Sequence, residues 1–315
     1  MPFSPRRLCL CLAILACAAP AARAAEAPKV LTSIKPLHAL AAEIMDGIGE
    51  PGLLLRATAS PHTYSLRPSD ARAIAQADLV FWIGPAYESF MAKAVGERAR
   101  KARVVAMATL ATVTLLPTRG GGVWANDGRG EAAGHSHRHG GDERDMHLWL
   151  DPANAKAMAA AMAEALAAGD PANAAAYRGN AARLTERIDN LDERLRARLA
   201  PVAGKPFVVF HDAYQYFERR YHLAAAGSIS VTPDRVPGPR RLSELRRVLI
   251  ARQAACVFGE PQFTSGLVTT LLEGTGARAG MLDALGIAAP EGKGGYGALM
   301  ENLAENLTSC LKQAP

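Results

Sequence analysis

The chain has 315 residues, 49% of them hydrophobic, 21% charged and 6% aromatic, and a formal net charge of +6. That length and apolar content allow two cored domains and exclude a disordered or fibrous chain. The positive balance is too slight to argue for a nucleic-acid partner.

At the N-terminus, Arg6 and Arg7 precede the apolar run LCLCLAILACAA, and the small-residue stretch PAARAAEAP follows. This is the pattern of a secretory signal peptide over residues 1–24, with Ala22-Arg23-Ala24 as an A-x-A cleavage site. Its apolar core of about a dozen residues falls short of the roughly 20 that a membrane span needs. Lipidation at Cys17 is the lesser alternative, because Leu15 fits the small-residue pattern before such a cysteine poorly. Loss of residues 1–24 removes Arg6, Arg7 and Arg23, leaving 33 basic residues against 30 acidic ones, a net charge of +3. Cys9, Cys11 and Cys17 go with them, so Cys256 and Cys310 remain as a pair. An even pair in an exported protein points to a disulfide, with two buried thiols as the alternative.

In the first half of the mature chain VLTSI, GLLLRA, DLVFWIG and RVVAMA read as strands, and SLRPSDARAIAQA reads as a helix between two of them. The stretch 117–146 is dominated by Gly and charge without apolar period, and reads as a solvated, mobile loop of the first domain. Residues 170–200 form a long amphipathic helix of roughly 28 residues, about 42 Å. Asp170 is its expected cap, and Leu184, Ile188, Leu191, Leu195 and Leu199 form its apolar stripe. In the second half FVVFH, AAAGSIS, ACVFGE and ARAGMLD read as strands, with RRLSELRRVLIARQ as a helix among them. The repeated rhythm predicts an α/β fold of two similar lobes, each a mostly parallel sheet flanked by helices. The expected division is a first lobe over 25–169, a linking helix over 170–200 and a second lobe over 201–315.

Three histidines stand where a strand hands over to a loop or helix. His62 lies in ASPHTYSLRPSD, His147 opens HLWLDP and His211 ends FVVFHD. Ligands of open α/β sheets bind at the carboxyl ends of strands, so a site shared by the two lobes is expected. Imidazole nitrogen suits zinc, copper, nickel or iron, and three histidines leave a fourth position for a carboxylate or water. Asp283 in GMLDALG and Glu260 in FGEPQF are the carboxylates at strand ends, and either could instead accept from an imidazole N–H. His135, His137 and His139 ride the glycine-rich loop, where no geometry is set in advance, so they are expected to gather zinc only weakly. His38 and His222 have no supporting motif and read as structural.

The segments SPHTYSLRPSD, ADLVFWIGP, MHLWLDP, VFHDAYQYFE, CVFGEPQF and LDALG occur in this order, with a His-rich loop between the second and third. In these the mature chain resembles the periplasmic zinc-binding proteins of ABC transporters, the ZnuA-like members of the cluster A-1 solute-binding family. The resemblance implies two α/β lobes joined by a long rigid helix with the metal between them. It implies His62, His147 and His211 as metal ligands, and a disulfide between Cys256 and Cys310. Manganese-binding relatives carry glutamate where His211 stands, so histidine moves the expectation towards zinc. Some zinc-specific members carry an acidic donor just before the first ligand, where this chain has Pro61. That leaves Asp283 or water as fourth ligand, Asp283 being preferred because manganese-type relatives use the matching aspartate, and Glu260 stands behind the ligands.

The expected function is therefore capture of Zn2+ in the periplasm by a monomer and delivery to an inner-membrane ABC permease. A zinc hydrolase is the rival, since three histidines and an open position could activate water. No H-E-x-x-H helix and no separate general base support it, so no enzyme is expected. A metal-dependent adhesin is the third reading, and no feature of the chain points to it.

Overall fold

A computed structural model describes residues 27–56, 59–99, 101–120, 122–124, 143–230, 237–263 and 266–312. The expected signal peptide and the loop histidines His135, His137 and His139 lie outside the described residues.

All eight expected strands form, and they assemble into two four-stranded sheets. The first contains β1 (Val30–Thr32), β2 (Gly52–Leu53), β3 (Leu79–Trp82) and β4 (Arg103–Ala106) in the order β2-β1-β3-β4. The second contains β5 (Pro206–Val209), β6 (Ala224–Ser228), β7 (Cys256–Gly259) and β8 (Arg278–Met281) in the order β6-β5-β7-β8. Every pairing is parallel, and the strand permutation of the first sheet repeats in the second. Continuous apolar runs such as Leu79-Val80-Phe81-Trp82 suit this arrangement, because helices on both faces leave the central strands no solvent side.

Helices α1 (Lys35–Ile44), α2 (Pro68–Gln76) and α3 (Ser89–Arg98) belong to the first sheet. Helices α4 (Pro152–Gly169) and α5 (Ala174–Leu199) then run side by side, with α6 (Gln215–Tyr221), α7 (Pro239–Ala251), α8 (Gly266–Leu272) and α9 (Gly295–Lys312) after them. The long connecting helix is α5, 26 residues and about 39 Å. It starts later than expected, because Pro171–Asn173 forms a separate 3-10 turn. Asp170 does not cap α5 directly. Its Oδ2 accepts from Asn173 Nδ2 at 2.7 Å and the Tyr177 hydroxyl at 2.9 Å, which ties that turn to the helix.

The partner of α5 is α4, started by Pro152 and capped by the Asp151 carboxylate, which accepts from Ala153 N at 2.9 Å. One apolar core runs from the first sheet through α4, α5 and α9 to the second sheet, and a smaller cluster around Val208, Leu245 and Leu271 lies under α7 and α8. The last helix, α9, packs on α1 as well as on α5 and β8, so the C-terminal segment touches both lobes. A disulfide joins Cys256 of β7 to Cys310 of α9, with the Cα atoms 6.3 Å apart. A shared core and a stapled crossing helix make a rigid frame around the carboxyl ends of the two sheets.

Candidate metal centre

The three histidines expected at the site come together. His62 sits in the turn after β2, with its backbone N–H donating to Ser60 Oγ at 3.3 Å. His147 starts the 3-10 turn Leu148–Leu150, which leads directly into the Asp151 cap of α4. His211 follows β5, where its carbonyl accepts from Ala213 N at 2.9 Å and turns the chain towards α6. One ring nitrogen from each histidine lies within 4.8 Å of the others.

One pair of nitrogens has the spacing of a tetrahedral edge. His147 Nε2 and His211 Nε2 are 3.4 Å apart. Two nitrogens at the usual zinc distance of about 2.0–2.1 Å in a tetrahedron stand about 3.4 Å from each other. The ring centroids are 5.2 to 5.7 Å apart, and Tyr87 meets His62 and His147 edge-on at 5.1 and 5.3 Å. The cavity they line measures about 10 Å³, with Pro61, Phe263, Ala284 and Leu285 among its other walls.

Two carboxylates stand behind the rings. Asp145 Oδ1 accepts from the His147 backbone N–H at 3.0 Å and lies 2.8 Å from its Nδ1. Glu260, just past β7, lies 2.7 Å from His211 Nδ1 through its Oε1. Each contact turns Nδ1 outward and leaves Nε2 facing the cavity. Burial, helped by neighbouring His211, lowers the His147 pKa to about 3, so this ring is neutral and its lone pair available. Burial pulls His211 downward too, but the Glu260 carboxylate outweighs it and the net pKa is above 6.5. Burial also pushes the Asp145 carboxyl upward, against the His147 amide, Arg119 and His211, which favour its charge.

Among the residues expected at the site, His62, His147, His211 and Glu260 come together. Asp283 does not join the converging nitrogens. Its two oxygens accept from Leu285 N and Ala288 N, each at 3.2 Å, and so organise the turn that supplies the Ala284–Leu285 wall. Reasoning from sequence overlooks Asp145, although D-x-H places a carboxylate two residues before His147. It also overlooks Arg119, which bonds Asp212 beside His211.

The family described as ZnuA, zinc-uptake complex component A, periplasmic, matches residues 30–310. The chain belongs to this family. A ZnuA-family relative from Brucella suis biovar 1, the high-affinity zinc uptake system protein ZnuA, is 41% identical over 312 residues, covering 92% of this chain and 93% of its own length. The protein of the same name from Yersinia pestis is 37% identical over 296 residues, covering 90% of this chain and 91% of its own. Among solved structures, a ZnuA deletion mutant with zinc bound superposes with a TM-score of 0.75 at 23% identity, covering 92% of this chain and all of that one. At that identity the likeness speaks for the fold of the ZnuA family.

Proposed function

We propose that this chain binds one Zn2+ in the periplasm through His62, His147 and His211 and delivers it to an inner-membrane ABC permease. One observation carries the reading: three imidazole nitrogens converge on a cavity of about 10 Å³ with two of the rings held by carboxylates. That volume takes a single water-sized body, and nitrogen donors favour zinc over a harder ion such as Mn(II). A water molecule is the fourth donor in this reading, because Asp283 stands outside the group of converging donors and its oxygens serve its own turn. The relatives named as zinc uptake proteins supply the transport half of the reading. Residues 1–24 direct export, the mature protein acts as a monomer, and His135, His137 and His139 gather zinc weakly.

A hydrolase would need space beside the ion for an organic substrate and a general base. The small cavity and the carboxylates that face Nδ1 of His147 and His211 favour the binding reading over that one.

The test is metal titration of the purified mature protein against a competing chelator. About one tightly held zinc per chain is expected, with a large loss of affinity in each of His62→Ala, His147→Ala and His211→Ala. Undiminished affinity in all three would overturn the assignment. Removal of residues 133–141 is expected to strip only weaker, additional zinc.

A further inference from the structure

We infer that Arg119 is a positioning residue of the metal centre, acting on His211 through Asp212 and Glu218; this rests on the zinc-binding reading above. Arg119 leaves the base of the 117–146 segment, next to the antiparallel bridge between Pro117 and Arg144. Its Nε donates to both oxygens of Asp212 at 3.1 Å, and Nη2 donates to Oδ1 of the same carboxylate. Its Nη1 donates to Glu218 Oε2 at 2.7 Å, and Nη2 to Glu218 Oε1 at 3.0 Å. The Trp124 ring covers the guanidinium, its centroid 3.6 Å from Cζ.

Asp212 follows His211 directly, and Glu218 lies in α6, so one planar cation spans both ends of the connection that carries the ligand. Only a guanidinium has the fork to hold two carboxylates at once in this way. The side chains of Arg119, Asp212 and Glu218 are 14%, 15% and 7% exposed, so the group is largely shielded from water. Without the cation, two neighbouring buried carboxylates would repel each other beside the ligand, and the connection would have to move to rehydrate them.

A buried cation so near a site for another cation opposes metal binding by simple Coulomb repulsion. Its placement makes sense if the order it imposes on His211 outweighs that repulsion. The same segment is fastened to the second sheet just beyond Arg119. Trp124 N donates to Ala226 O at 3.0 Å, and Ser228 N donates to Gly122 O at 2.9 Å. At Gly227 a Cβ would lie 2.4 Å from Gly122 O, so only glycine admits this contact. The flank of the expected loop is therefore a strap bonded across the edge strand β6, and Arg119 is where it grips the metal centre.

The experiment compares wild-type protein with Arg119→Leu, Arg119→Lys, Asp212→Asn and the double variant Arg119→Leu/Asp212→Asn. Zinc affinity is measured by chelator competition, and the d–d spectrum of the Co(II)-loaded protein reports ligand geometry. The expected result is an affinity loss of about 10–100-fold in Arg119→Leu together with a changed cobalt spectrum. Arg119→Lys is expected to recover part of both, and the double variant to lose no more than Arg119→Leu alone, because the two residues act through one contact. Wild-type affinity and spectrum in a folded Arg119→Leu would overturn the inference, as would additive losses in the double variant. If Arg119→Leu does not fold, unchanged affinity and spectrum in both Arg119→Lys and Asp212→Asn would overturn it. Failure of the wild-type protein to bind zinc would sink the zinc reading and this inference together, whereas unaffected variants of a zinc-binding protein would sink this inference alone.

Discussion

Nδ1 of His211 lies 2.7 Å from Oε1 of Glu260, and this contact makes the histidine both better oriented and more basic. Burial by itself would lower its pKa, but the carboxylate outweighs burial and carries the value above 6.5.

Zinc affinity should therefore depend on pH with a definite sign. Protonated His211 carries its second proton on Nε2, the nitrogen that faces the cavity, so zinc must displace it. Affinity is expected to be full above the raised pKa of His211 and to fall by about tenfold per pH unit below it. In the metal-free protein the same shift stabilises the fold below the ordinary value of 6.5, and that contribution is lost as pH rises through the higher folded value. Glu260→Gln should move the knee of the affinity profile to lower pH and weaken binding above it. Chelator competition from pH 5 to 8 reads both, and a flat profile in the wild-type protein would refute the coupling.

Asp145 serves His147 as Glu260 serves His211, with the difference that it holds the backbone as well as the ring. Asp145→Asn keeps an acceptor for the backbone N–H but loses the charge that holds the Nδ1–H tautomer. Zinc affinity is expected to drop by about 10–100-fold with little change in thermal stability. Competition titration and a melting curve on the same preparation separate the two effects. An unchanged affinity would show that burial alone orients the ring.

Much of this was legible before the fold was known, and the reasons are specific. The eight strands show as apolar runs because parallel strands buried on both faces have no polar side to alternate. His62, His147 and His211 show because each stands at a strand or turn end. Helix α4 is hard to read from sequence, because PANAKAMAAAMAEALAAG is so rich in alanine that no narrow apolar stripe emerges, although Met158, Met162 and Leu166 are fully buried. Arg119 lay in a stretch whose glycines and charges resemble a solvated loop, and only the fold brings Asp212 and Glu218 to it. At Asp283 the sequence shows a carboxylate at a strand end but not the turn whose amides donate to it. That turn needs Gly286 at φ +67°, a conformation visible only in three dimensions.

The disulfide should matter for stability and little for metal. Cys256 and Cys310 close a loop of 54 residues and staple α9, which bridges the lobes, to the central strand β7. A Cys256→Ser/Cys310→Ser pair is expected to lower stability by about 2–4 kcal/mol. Neither cysteine lines the metal cavity, so zinc affinity should stay within a few-fold of wild type. Denaturant titration with and without reductant, paired with chelator competition, checks this. A large loss of zinc affinity would mean that the frame itself tensions the site.

The wall opposite the histidines is held from the other lobe. Lys35, the first residue of α1, donates through Nζ to the carbonyls of Gly286 at 2.8 Å, Ile287 at 3.0 Å and Ala289 at 2.5 Å. Trp149 Nε1 donates to Ala284 O at 2.8 Å, and Asp283 binds the same turn from within. A first-lobe cation thus satisfies three carbonyls of a second-lobe turn whose residues Ala284 and Leu285 close the cavity. Lys35→Met preserves the length of the side chain and removes the donor, leaving those half-buried carbonyls to find water. The loss should be about 1–3 kcal/mol, since charged hydrogen bonds disappear and desolvated acceptors stay behind. Because the turn supplies a wall of the cavity, zinc should leave the variant faster while the arrival rate stays near wild type. Stopped-flow transfer of zinc to an excess of chelator measures the exit rate directly. An unchanged exit rate in a destabilised protein would mean that Lys35 holds the lobes together without governing the cavity.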